Sequence, residues 1–195
     1  MPNGYDLQGG ATDISTAPGY PGSLDLYSRP INRFYAKMSG ITMLMTYAEV
    51  ELMLAEAKER GWTVSGTAAS HYNAGVTAAM KSLAQWDANA TVADPAIATY
   101  LAANPYASAT GIQQINTQYW VATVFNDYES FANWRRTGFP VLTPVNYPGN
   151  VTGGTIPRRL IYPQSEASVN GTNYSAAIAR LAGGDKLTSR VWWDK

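Results

Sequence analysis

Thr46-Tyr47-Ala48-Glu49-Val50-Glu51-Leu52-Met53-Leu54-Ala55-Glu56-Ala57 is the stretch that decides the fold class of this chain. With its flanks it places Met43, Tyr47, Val50, Leu54 and Ala57 at steps of four and three, the spacing of one apolar helix face. The pattern predicts a helix from Ile41 to Arg60. Leu44, Ala48, Leu52 and Ala55 widen that face, so the helix is expected to pack against more than one neighbour. Glu56 precedes Arg60 by one turn, the favourable order for an ion pair along a helix, and Gly61 supplies a stop.

Working outward, a second helix is predicted from Ala68 to Gln85, with Tyr72, Val76, Ala79 or Met80, and Leu83 facing inward. Two helices joined by a short Gly-containing turn form an antiparallel pair of the tetratricopeptide kind, although the full repeat signature is absent. Asp94-Pro95 caps a short helix that ends before Asn104-Pro105. A long helix is predicted from Thr110 to Arg136, carrying Ile112, Ile115, Tyr119 and Ala122, and terminated by Gly138 and Pro140. From Val141 to Pro163 the chain is Pro- and Gly-rich and extended. A short helix around Ala176 to Leu181 leads into a Gly183-Gly184-Asp185 turn. Strand signal is weak, so the fold class is mainly α, a tetratricopeptide-like helix pair with further helices and long ordered loops.

Residues 1–40 stand apart. Pro2, Gly4, Gly9, Gly10, Pro18, Gly19, Pro21, Gly22 and Pro30 interrupt every helical or strand period, among Tyr5, Tyr20, Tyr27 and Tyr35. This reads as a long irregular segment, of the kind that is functional or disordered. The remainder, 41–195, reads as one helical region.

At 195 residues the chain can bury a core, and 46% hydrophobic residues place it among globular proteins. Only 14% of residues are charged, against about 25% in an average soluble domain. Basic and acidic residues balance at 14 each, so there is no footprint for nucleic acid. The lack of cysteine excludes disulfides, thiol catalysis and thiolate metal sites. No apolar run approaches the roughly 20 residues that span a bilayer. Few charges and many aromatics suit a neutral ligand such as a sugar.

No catalytic constellation emerges. Glu49 and Glu56 lie two turns apart on one helix face, whereas a glycosidase needs carboxylates on opposite sides of the scissile bond. His71, the sole histidine, cannot form a two-histidine metal site and reads as an exposed or half-buried residue near a helix start. Asp185 belongs to a tight turn, since the alternating acidic ligands of a calcium loop are missing. Arg135-Arg136 and Arg158-Arg159 are read as structural, clamping loop carbonyls and stacking on aromatics, with an anionic sugar as the functional alternative. Trp192 and Trp193, adjacent in an extended segment, point to opposite sides, so at most one faces a ligand. Tyr5, Tyr20, Tyr27 and Tyr35, with Arg29, are the better ligand candidates, lying on an irregular segment among polar residues. No cofactor is implied.

Three blocks in the last third extend the reading: Phe131-Ala132-Asn133-Trp134-Arg135-Arg136-Thr137-Gly138-Phe139-Pro140, Pro157-Arg158-Arg159-Leu160-Ile161-Tyr162-Pro163-Gln164-Ser165-Glu166, and Gly183-Gly184-Asp185 with Arg190-Val191-Trp192-Trp193-Asp194-Lys195. Together with Thr46–Ala57 and Arg60-Gly61-Trp62, this order resembles the C-terminal part of the SusD/RagB family of nutrient-binding outer-membrane lipoproteins. The resemblance covers roughly Met43 to the C-terminus. It implies a helical, non-catalytic protein that captures oligosaccharide or another nutrient at the cell surface, partnered with a SusC-like TonB-dependent transporter. A helical-repeat adaptor binding proteins, or a glycan hydrolase, are the rival classes. Family members are usually more than twice as long and carry a signal peptide and an acylated N-terminal cysteine. The chain is therefore expected to be a fragment of one larger domain whose lipid anchor is missing. Alone it is expected to be marginally stable, because the helix over 41–60 carries apolar residues around most of its circumference.

Overall fold

The computed structural model describes residues 40–144, 146 and 149–194. Among these the regular structure is helical, with no strand. The described residues divide between two compact units, 40–142 with 192–194, and 143–191.

The first unit is built on α1 (Tyr47–Glu59) and α2 (Ala68–Trp86). The predicted start of α1 at Ile41 is too early. Thr46 caps the helix: its hydroxyl accepts the Glu49 N–H at 3.2 Å, and the Glu49 carboxylate accepts the Thr46 N–H at 2.7 Å. That reciprocal capping box fixes the first turn and leaves Ile41–Met45 outside the helix. α2 opens the same way, Thr67 and Ser70 capping each other at 3.0 Å in both directions.

The buried face of α1 also differs from the predicted one. Ala48, Leu52 and Ala55 form it, while Tyr47 is 65% exposed. Three of the four residues expected only to widen the stripe are its centre, while the fourth, Leu44, is exposed and lies before the helix. Beside them lie three buried glutamates, Glu49, Glu51 and Glu56, each of which must find partners. α2 turns Tyr72 and Val76 inward as expected. It approaches α1 at Gly75, where a Cβ would stand 2.7 Å from Leu52 Cγ.

α3 (Asp94–Ala103) carries Asp94 and Pro95 in its first turn, with Ala93 rather than Asp94 at the cap. The long helix predicted over 110–136 is two helices, α4 (Gly111–Ala122) and α5 (Asp127–Thr137). Thr123 ends α4 by donating its hydroxyl back to the Tyr119 carbonyl at 2.8 Å, and Asn126 caps α5 through the Glu129 N–H. Local side-chain bonds at Thr and Asn compete with helical continuation. Gly138 ends α5 in the left-handed conformation with φ 78°. The core closes where Leu52, Ala55, Tyr72, Val76, Ile115 and Tyr119 meet.

The second unit contains α6 (Gln164–Val169) and α7 (Gly171–Ile178), so the short helix predicted at 176–181 begins earlier, at Gly171. Gly183 and Gly184 both adopt positive φ in the turn before Asp185.

Candidate functional site

The sequence-derived ligand candidates Tyr5, Tyr20, Tyr27, Arg29 and Tyr35 lie outside the described residues. Within the first unit, a groove of about 630 Å3 runs between the C-terminal half of α1 and α5, with Trp62 and Trp193 on its walls.

Its floor is a carboxylate held by two guanidinium groups. Arg136 donates Nη1 to Glu56 Oε1 at 2.5 Å and Nη2 to Oε2 at 2.7 Å. Arg60 donates Nε to Oε1 at 2.8 Å. Asn133, one turn before Arg136, accepts from Arg136 Nη2 at 2.6 Å and donates to Asn116 at 3.0 Å. Glu56 is 5% exposed. Burial alone would push its carboxyl up, but the hydrogen bonds and charges of Arg136 and Arg60 outweigh that and hold it at about 2. A group so firmly ionised has no proton to give near neutrality, so it is unsuited to general acid work. Glu49 is committed to the cap of α1.

The arginine pairs take structural partners. Arg135 lies between two rings, its guanidinium carbon 4.3 Å from the Phe131 centroid and 4.5 Å from that of Trp193. Trp193 is thereby packed, whereas Trp192 is 95% exposed; the two rings part as expected, but from a turn rather than an extended segment. In the second unit, Arg159 pairs with Asp185, and its guanidinium carbon lies 4.8 Å from the Tyr162 ring centroid. Arg136 and Arg159 thus pair with carboxylates, and Arg135 and Arg159 lie over aromatic rings.

The residue that sequence reasoning under-read is His71. Its Nδ1 lies 2.6 Å from Glu51 Oε2 and its Nε2 lies 2.7 Å from the Ser65 carbonyl oxygen. Both neighbours are acceptors, and only the imidazolium donates from both nitrogens. The hydrogen bonds to Glu51 and Ser65 raise its pKa against the opposing effects of burial and of Lys58. The hydrogen bonds of Tyr47 and His71 lower that of Glu51. With Lys58 donating Nζ to the Val64 carbonyl at 3.1 Å, His71 pins the turn that carries Trp62. Among the described residues no group of three or more His, Asp or Glu side chains is arranged to hold a metal. None of the described helices is long and apolar enough to cross a membrane.

Comparison with known proteins places these features. Residues 9–163 match the SusD-like family model, described as starch-binding and associating with the outer membrane. The chain belongs to the SusD-like family. The match begins inside the Tyr-rich segment, earlier than the motifs alone reach, and ends at Pro163, before the Gly183-Gly184-Asp185 and Arg190–Lys195 blocks. Among solved structures the chain is similar to a chitin-binding protein at 43% identity and a TM-score of 0.69, covering 76% of this chain and 33% of that one. It is similar to a Bacteroidetes SusD-like protein at 36% identity and a TM-score of 0.71, covering 78% and 30%. A chitin-binding SusD homologue from Flavobacterium johnsoniae aligns at 29% identity and a TM-score of 0.63, covering 78% and 36%. The chain thus spans about a third of the length of these relatives. No curated protein matches.

Proposed function

We propose that this chain belongs to a surface-exposed outer-membrane protein that binds oligosaccharide without cleaving it and delivers it to a SusC-like TonB-dependent transporter. An acylated cysteine of the full-length protein anchors it in this reading. The observation that carries the proposal is the 43% identity to a protein named as chitin-binding, within a family described as starch-binding. Two facts support the non-catalytic part. Glu56 is locked between Arg60 and Arg136, and Glu49 is spent on a helix cap. Ligand contact is proposed for Tyr5, Tyr20, Tyr27, Arg29 and Tyr35, aromatic and cationic groups of the Gly- and Pro-rich stretch 1–40.

Affinity electrophoresis in gels containing glycol chitin or soluble starch tests the reading. Retardation by at least one of the two is expected, weakened when Tyr20, Tyr27 and Tyr35 are replaced together by Ala while the melting temperature holds. Migration unaffected by both polymers refutes glycan binding. Release of reducing sugar that disappears in Glu56→Gln refutes the non-catalytic assignment.

A further inference from the structure

The groove between α1 and α5 combines features that the helix packing does not use. Trp62 is 65% exposed. No aromatic or cationic partner for its ring is found among the described residues. An indole can bury well over 100 Å2 on contact, and this one projects from a turn held at Val64 by Lys58 and at Ser65 by His71. It is therefore presented on a fixed backbone.

Beside it, Arg60 uses only Nε on Glu56. Its two Nη groups make no bond among the described residues, and its side chain is 31% exposed. Arg136, at 41% side-chain exposure, spends both Nη groups on Glu56 and keeps Nε free of such a bond. Arg60 and Arg136 are balanced by Glu56 and Glu129. The groove is rich in donors yet carries no net charge.

An apolar ring face beside fixed N–H donors, without net charge, matches an uncharged sugar ring. Its C–H face packs on an aromatic plane, and neighbouring hydroxyls accept from a guanidinium. We propose that the Trp62 groove is a glycan-contact site of this chain, seating one uncharged sugar ring on the Trp62 indole with its hydroxyl oxygens accepting from Arg60 and Arg136. This rests on the proposed function and names contact residues outside the stretch 1–40.

The test is isothermal titration of the chain with chitohexaose and with maltohexaose. Trp62→Ala is expected to weaken binding of whichever oligosaccharide the unsubstituted chain takes, by about tenfold or more. Trp62→Phe keeps a ring and should lie within a few-fold of the unsubstituted chain. Trp192→Ala removes a ring that lies outside the groove and should change nothing. In the unsubstituted chain, the indole N–H resonance identified by its loss in Trp62→Phe should shift on titration, a readout independent of whether the alanine variant folds. Unchanged affinity in Trp62→Ala, or a stationary resonance at saturation, overturns the groove assignment while leaving glycan binding standing. Failure of the unsubstituted chain to bind either oligosaccharide overturns both.

Discussion

The two compact units are held together by opposite means. In the helical unit, Leu52, Tyr72 and Ile115 are at most 1% exposed and form one apolar cluster across α1, α2 and α4. In the described part of 143–191, Val151, Leu160 and Val169 are each more than 80% exposed. Order there gathers around one carboxylate. Asp185 accepts from Arg159, from the Tyr162 N–H at 3.2 Å to each oxygen, and from the Tyr174 hydroxyl at 3.4 Å. The turn is closed further by Ser189 Oγ on the Gly184 carbonyl at 2.5 Å, and Arg158 N–H reaches Leu187 O at 2.7 Å. Apolar burial is shared among many side chains and lost together. A polar staple is lost at one atom and locally.

The largest effect should come from the apolar cluster. Leu52 is fully buried against α2, at the point where Gly75 lets the helices approach. Leu52→Ala is expected to cost about 3–4 kcal/mol, transfer plus cavity, measured by urea denaturation. A loss below about 1 kcal/mol would mean the cluster is not the centre of the unit.

Next comes the carboxylate joining α1 to α5. Glu56→Gln leaves Arg136 without its charge partner. Fully buried pairs broken this way lose about 3–5 kcal/mol, and the half-exposed guanidinium here reduces the expectation to about 2 kcal/mol. The pH dependence follows from the lowered pKa. The contribution of Glu56 is fully present above its unfolded pKa, about 4.5, and is lost as pH falls from there through about 2. Acid unfolding of the unsubstituted chain should therefore lie in that window, with a weaker pH dependence across it in Glu56→Gln.

Asp185→Asn sharpens the contrast. It should cost little globally and act locally. Amide exchange at Arg158, Arg159 and Tyr162 should accelerate while the amides of α1 and α2 keep their protection. Equal acceleration in both sets would show that the two units unfold as one.

What the sequence made legible follows the same division. Short-range chemistry was readable: the start of α2 at Ala68, Gly61 and Gly138 after their helices, and the inward Tyr72 and Val76. Long-range pairing was not. Glu56 reads as an ion-pair residue because Arg60 is four positions away, while the partner that justifies its burial, Arg136, is 80 positions along. Three buried glutamates blurred the face of α1, so Tyr47 was counted inward and Ala48, Leu52 and Ala55 only as flanks. The interruption at Thr123–Asn126 was hidden because apolar spacing continues through Phe125 and Tyr128. A signal was present in Asn126, a good cap placed three residues before Glu129. The tyrosines proposed for ligand contact rest on composition alone, and the Trp62 groove depends on residues drawn from α1, α4, α5 and 193, which no local pattern joins.

The smallest expected effect belongs to His71, and it breaks the comparison from inside the helical unit, because it is a polar staple beside an apolar core. The groups facing its ring are the Glu51 carboxylate, itself bonded by Tyr47 from α1, the Ser65 carbonyl, and Lys58, whose charge opposes protonation. The folded pKa is raised, so the stabilisation is fully present below the unfolded value of about 6.5 and is lost as pH rises through the folded value. A neutral imidazole can donate to only one of its two acceptors, so either the bond to α1 or the bond to the Trp62 turn must go. The loss is expected to stay below about 1 kcal/mol, because water screens a partly exposed pair. Urea denaturation from pH 6 to pH 9 should show the unsubstituted chain losing stability relative to His71→Gln, the two curves converging at the alkaline end. Curves that run parallel across the range would mean that the imidazolium does not bridge Glu51 and Ser65 in solution.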